Sequence, residues 1–224
     1  MDVRFETKHG NKAGKHEWLT PKENTKSITD FAGRSVYSQS QHWCTPPKYV
    51  AAVRKVFNDN IELDPCSNPQ SIVNAKTEYI LPDHDGLKED WNYQTIYINP
   101  PYGADRERGT TIKNWIQKCS EAHKKYKSEI IALIPVAPNT AHWKHYIFGK
   151  ASALCFLYDT RLKFLVDGNT DNKGAPMACC MVYWGIDIDR FRSVFEEFGA
   201  VINISDIIGR KIGSHKHENL LFEE

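Results

Sequence analysis

The residues with the most chemical content are Asn99, Pro100, Pro101 and Tyr102, followed by Gly103. They come directly after Thr95-Ile96-Tyr97-Ile98, an alternation of β-branched and aromatic side chains that suits a buried strand. Two prolines that cannot donate to a sheet ladder then end the strand. The pattern predicts an asparagine at a strand's carboxyl end, a rigid turn, and an exposed tyrosine and glycine. In open α/β sheets ligands bind at that edge. The Asn99 side-chain oxygen and the Pro100 carbonyl, whose direction the next proline fixes, form a pair of acceptors. An exocyclic NH2 such as that of adenine shares its lone pair with its ring, and acceptors on both N–H bonds localise the pair. Methylation of such an amine is the chemistry the set suits. Tyr102 offers a flat face on which the base can stack, at roughly 1–3 kcal/mol per base. Asn-Pro-Pro also serves as plain turn chemistry, but an apolar strand before it and Tyr-Gly after it favour a site.

Positioning these groups requires a folded domain, and the chain is long enough for one. At 224 residues it is expected to bury roughly 70% of its unfolded surface. Its 41% hydrophobic and 25% charged content is ordinary for a soluble globular protein. A net charge of +1 means that any nucleic-acid binding must rest on a local basic face. No apolar run is long enough to span a bilayer, and the polar start from Met1 to Lys15 is not a signal peptide. The six cysteines (Cys44, Cys66, Cys119, Cys155, Cys179 and Cys180) form no Cys-x-x-Cys pair and read as reduced thiols of a cytoplasmic protein. His142-x-x-His145 and His215-x-His217 lack partners at ligand spacing, so no metal site is expected.

Residues 1–40 have no sustained period and carry Lys8, Lys12, Lys15, Lys22, Lys26 and Arg34, which reads as a flexible basic arm. Within it, His16-Glu17-Trp18-Leu19-Thr20-Pro21 echoes Gln41-His42-Trp43-Cys44-Thr45-Pro46, for which we have no physical account. Thr45 followed by Pro46-Pro47 predicts a helix start with Thr45 as N-cap, and Asn58-Asp59-Asn60 its end. Ile61-Glu62-Leu63 predicts a short strand ending at Asp64, followed by Pro65-Cys66-Ser67-Asn68-Pro69. An acid there either accepts from a cationic sulfonium cofactor with a free ammonium or belongs to an ordinary Asp-Pro turn. Asp85, after a brief strand from Glu78 to Leu81, either accepts from an adenosyl amino group or solvates its turn. Asp83 is the weaker candidate.

Beyond Tyr102, Thr111 predicts the cap of an amphipathic helix, and the loop before it holds Arg106 and Arg108, candidates for phosphate contact. Glu129 to Pro135 reads as a buried parallel strand, and Ala153 to Tyr158 as another apolar strand. A short helix is expected from Asn139-Thr140, and the segments Arg161–Leu165 and Met177–Trp184 read as a long hairpin. A final helix from Asp189 to Phe198, a strand near Val201–Ile204 and a polar tail from Gly209 complete the chain. The strand–helix alternation predicts an α/β three-layer sheet.

In this order the motifs resemble the phage-type DNA N6-adenine methyltransferase family. The matching pieces are Trp43-Cys44-Thr45-Pro46-Pro47, Leu63-Asp64-Pro65-Cys66-Ser67-Asn68, Asn74-Ala75-Lys76, Asp85-Gly86-Leu87, Asn99-Pro100-Pro101-Tyr102-Gly103, Arg161-Leu162-x-Phe164 and Gly174-Ala175-Pro176. They span roughly residues 41 to 185. The resemblance implies a Rossmann-like methyltransferase sheet, mostly parallel with a late antiparallel hairpin, over residues 41–208. Asn99, Pro100, Pro101 and Tyr102 would be its catalytic motif. Trp43, Thr45, Pro46, Asp64, Pro65, Cys66, Ser67, Asn68, Asp85, Gly86 and Asn99 would form an S-adenosylmethionine pocket. Tyr102, Arg106, Arg108, Arg161 and Lys163 would meet double-stranded DNA. The implied protein is a monomer or weak dimer in the cytoplasm of a bacterial or phage-infected cell, as in restriction–modification. Unlike the wider methyltransferase pattern, the loop after Asp64 has no Gly-x-Gly. No separate target-recognition domain is visible, so specificity falls to the Gly103–Gly109 loop, the Asp167–Ala175 loop or the arm. The same acceptor pair also suits cytosine N4, RNA adenine or a protein glutamine, and a non-catalytic DNA-masking module is the reading from another class.

Overall fold

The computed structural model describes residues 27–29, 35–37, 43–166, 169–170, 175 and 177–208. Strands β1 (Ser27–Thr29) and β2 (Ser35–Tyr37) pair antiparallel within the segment expected to be a loose arm. The rest of that arm, its Trp-Leu-Thr-Pro copy and the tail from residue 209 lie outside the described residues.

Helix α1 (Pro47–Val56) starts at a proline and buries Tyr49, Val50, Val53 and Val56 on one face. Its N-cap is Pro46, not the expected Thr45. Asn58 and Asp59, both at positive φ, then turn the chain into β3 (Leu63–Asp64). Strands β4 (Thr77–Glu78) and β5 (Thr95–Ile98) follow. Helix α2 (Ile112–Tyr126) begins as its sequence predicts, with the Thr111 N–H donating to Asn114 Oδ1 at 2.9 Å, and ends at Lys127 with φ of 61°. Next come β6 (Glu129–Pro135), a π-helical turn over Trp143–Ile147, and β7 (Ala153–Leu157). A small hairpin of β8 (Leu165–Val166) and β9 (Asn169–Thr170) precedes β10 (Cys179–Trp184), α3 (Ile188–Phe195) and β11 (Gly199–Asn203).

The main sheet has seven strands in the order β11-β7-β10-β6-β5-β3-β4. Only its first part is parallel: β4, β3, β5 and β6 run together, while β10 is antiparallel to β6 and β7, and β11 to β7. The sheet is therefore mixed, which corrects the expectation of a mostly parallel one. The expected long hairpin is corrected too. Residues 179–184 do not pair with 161–165 but insert between β6 and β7. The reason is burial: all six residues of β10 are buried, which a peripheral hairpin arm could not provide.

Helical segments cover both faces. Tyr183 of β10 stacks on Phe191 of α3 with centroids 4.9 Å apart, whereas the next residue, Trp184, donates its indole N–H to the Tyr146 carbonyl in the π-helical turn. Adjacent strand residues point to opposite faces, so α3 and that turn lie on opposite sides. Helix α1 packs with α3, and α2 with the π-helical turn.

Chain order sets where the site is. From β3 the chain crosses to β4 on one side and later to β5 on the other, so the strand order reverses at the β3–β5 boundary. A crevice opens outside the carboxyl ends of parallel strands at such a reversal. Asp64 ends one of these strands and Asn99 follows the other.

Candidate active site

The crevice is built from three turns and one crossing segment. Asp64 is buried, with 4% exposure, and its Oδ1 accepts from the Cys66 N–H at 3.2 Å. Burial pushes its carboxyl up to about 7; the Cys66 N–H opposes that shift and the nearby Glu78 carboxylate reinforces it. Cys66 ties the two strand ends together, since its Sγ donates to the Asn99 carbonyl at 3.3 Å. Burial holds this thiol well above the ordinary cysteine range, so it stays a protonated donor.

Asn99 is half-buried, and its Nδ2 donates to the Trp43 carbonyl at 2.9 Å. That bond leaves Oδ1 as the acceptor of the amide. The Trp43–Thr45 segment lies across the end of β5. Cys44 and Leu165 exchange two main-chain hydrogen bonds of 2.9 Å, and the buried Thr45 hydroxyl bonds the Tyr97 hydroxyl at 2.6 Å. Thr45 is therefore used for tertiary contact and not as a helix cap.

Tyr102 and Gly103 are buried, contrary to the exposed positions expected of them. The Tyr102 hydroxyl donates to the Leu133 carbonyl at 3.3 Å, and its ring meets Trp43 and Phe164 edge-on at centroid distances of 6.2 and 5.9 Å. Trp43 and Phe164 stack face to face at 4.8 Å. Phe164 is a site residue that sequence reasoning left without a role, although the Arg161-Leu162-x-Phe164 motif contained it.

Two hollows share the loop after Asp64. A narrow cleft is lined by Trp43, Thr45, Asp64, Cys66, Ser67 and Asn99 among others. Cys66, Ser67 and Asn68 also line a cavity of about 160 Å3, closed by Tyr79, Ile80, Gly86, Pro101, Arg108 and Trp115. The cleft itself holds only about 10 Å3, so the two hollows together are smaller than the roughly 300–1,000 Å3 typical of a ligand site. Glu78, which the sequence places only at the start of a brief strand and gives no role, has a buried Oε1 with no hydrogen-bond partner among the described residues. An acceptor of this kind together with Asp64 suits a ligand carrying positive charge and hydroxyl groups. This acceptor set fits S-adenosylmethionine, whose sulfonium and ammonium groups are positively charged.

The remaining expected residues divide into two groups. Pro65 and Gly86 pack together: a Cβ on Gly86 would lie 1.8 Å from the Pro65 carbonyl oxygen, so only glycine allows that approach. Asp85 accepts from the Leu87 N–H at 3.1 Å and pairs with Arg108 at 3.1 Å. Arg108 thus turns inward between acids, while Arg106 is exposed. Arg161 and Lys163 are exposed and, with Pro46, Pro47, Lys48 and Thr160, line an open groove of about 670 Å3 near the start of α1. Asp159 is the acid in that groove, and it is taken by Lys48 and the Tyr49 hydroxyl, each at 2.8 Å.

No helix among the described residues is long and apolar enough to cross a membrane. The family model for DNA N-6-adenine-methyltransferase (Dam) matches residues 34–205. No curated protein and no solved structure matches the chain.

Proposed function

We propose that this chain, which belongs to the DNA N-6-adenine-methyltransferase (Dam) family, methylates the N6 amine of an adenine flipped out of double-stranded DNA at a specific site, using S-adenosylmethionine. The observation that carries the reading is the alignment of Asn99 by the Trp43 carbonyl in a cleft that it shares with Asp64.

The cofactor, when bound, supplies a methyl group on a sulfonium that a neutral amine can attack directly. Every other requirement falls on the protein. Asp64 and Glu78 provide the negative charge that holds a cationic ligand, and Cys66 keeps Asp64 in register with Asn99. Asn99 Oδ1 and the Pro100 carbonyl accept hydrogen bonds from the two amine N–H groups and hold the lone pair toward the cleft. On transfer the C–S bond breaks to leave a neutral thioether, and the methylated nitrogen gives up one proton to solvent. Tyr102 and Phe164 are buried and back the half-buried Trp43, which supplies the aromatic surface beside Asn99 where a flipped base would be received. Flipping costs a few kcal/mol. Positioning and electrostatics then carry the rate, with no covalent intermediate on the protein. The groove with Lys48, Arg161 and Lys163 gives positive charge for the DNA backbone.

The test is transfer of labelled methyl from S-adenosylmethionine to double-stranded DNA, followed by nucleoside analysis. N6-methyladenine is the expected product. Label in N4-methylcytosine, in RNA or in protein would reassign the substrate, and absence of cofactor uptake by calorimetry would favour a DNA-masking module.

A further inference from the structure

The loop behind Tyr102 is closed on itself before it touches anything else. Asp105 and Thr110 exchange main-chain hydrogen bonds of 2.8 and 3.0 Å, and Gly109 takes the left-handed φ of 64° that the closure needs. Asp105 Oδ1 accepts from the N–H groups of Glu107 and Arg108, at 3.1 and 3.0 Å. The loop alone therefore fixes the base of the Arg108 side chain.

From there the guanidinium spans two acids. Its Nε donates to Asp105 Oδ2 at 2.8 Å and its Nη1 to Asp85 Oδ1 at 3.1 Å. The Arg108 and Asp85 side chains are only 21% and 13% exposed, unlike an ordinary surface pair. Asp85 precedes Gly86, which rests on the Pro65 carbonyl, and the Trp91 indole N–H anchors the Gly86 carbonyl at 2.8 Å. Arg108 thus connects the loop after the catalytic motif to the turn seated on the end of β3. It also walls the larger cavity together with Gly86 and Pro101.

We propose that Arg108 is a positioning residue, a latch between Asp85 and Asp105 that holds the Pro101–Gly109 loop against the cofactor cavity, and not a contact to DNA phosphate. The inference rests on the proposed function. A phosphate approaching Arg108 would have to displace a carboxylate, and two carboxylates flank the guanidinium. A planar fork can bridge both acids, and a lysine ammonium on one flexible stem cannot do so in the same geometry.

The test uses the full chain, with S-adenosylmethionine binding by calorimetry and DNA binding by anisotropy over a salt series. Arg108→Gln and Asp85→Asn are each expected to weaken cofactor binding about tenfold. The double variant should be no weaker than either single, because Asp85 acts through Arg108. Arg108→Lys should behave like Arg108→Gln, and it carries the test if the glutamine variant does not fold. The salt slope of DNA binding should not change. Cofactor binding within twofold of wild type in both Arg108 variants, multiplying single effects, or a salt slope smaller by about one would each overturn the latch. A wild-type chain that takes up no cofactor overturns the proposed function and the latch with it. Wild-type uptake with indifferent Arg108 variants sinks only the latch.

Discussion

Asn99 and Trp43 are joined by one hydrogen bond: the Asn99 amide donates to the Trp43 main-chain carbonyl at 2.9 Å. Because the amide is planar, committing Nδ2 sets the direction of Oδ1. Asn99→Ala removes the acceptor without touching Asp64 or the larger cavity. Methyl transfer should fall on the order of 10²–10³-fold or more, while calorimetric cofactor binding stays within a few fold. Full activity in that variant would remove Asn99 from the mechanism.

Asp64 makes stability and cofactor binding respond to pH in opposite ways. Its ordinary value of 3.8 is raised to about 7 on folding, so the folded state holds the proton more tightly than the unfolded chain. The stability this contributes is complete below pH 3.8 and is lost as pH rises through about 7, a difference of roughly 3–5 kcal/mol. Asp64→Asn should therefore raise the melting temperature of the cofactor-free protein most at pH 8, less at pH 5, and little below pH 3.8. On the proposed function cofactor binding to the wild type needs the ionised form, so affinity should weaken below pH 7, by up to tenfold per unit. A flat binding profile between pH 5 and 8 would show that Asp64 does not face the cation.

Gly86→Ala puts a methyl group 1.8 Å from a backbone oxygen, which no side-chain rotation relieves. The turn carrying Asp85 must lift off Pro65. We expect a loss of roughly 2–4 kcal/mol in denaturant unfolding. A change under half a kcal/mol would mean that the two turns are not seated as described.

The open groove near α1 has Lys48, itself 51% exposed, tied to Asp159, and Arg161 and Lys163 are its other exposed cations. Replacing both by glutamine should weaken binding to all DNA sequences alike and reduce the salt slope by about two. An unchanged slope would place the DNA elsewhere.

Legibility in the sequence followed the range of the interaction that decides each feature. Asp64 and Asn99 were readable as strand ends because a local pattern, apolar residues then proline, sets them. The α2 start at Thr111 was readable for the same reason. The antiparallel insertion of β10 was not, since an apolar run such as Cys179–Trp184 looks alike in a hairpin and in a sheet centre. Thr45 has the local signature of a cap, yet a hydroxyl on Tyr97, 52 residues away, claims it. Tyr102 looked exposed because Phe164 and Trp43, which cover it, come from distant segments. Arg108 has the local signature of a phosphate ligand, and only the fold sets Asp85 and Asp105 on either side of it.

The placement of β10 also governs the order in which the molecule can be completed. Strands β6 and β7 leave the ribosome before it, yet each is paired to the other only through it. Any chain stopping short of Cys179 therefore has a sheet that ends at β6 and leaves β7 with no partner strand, since β11 also follows it, so both carry unpaired apolar edges. Two such edges invite pairing with another copy. Synthesis of residues 179–184 is the step that joins β7 to the rest of the sheet at β6.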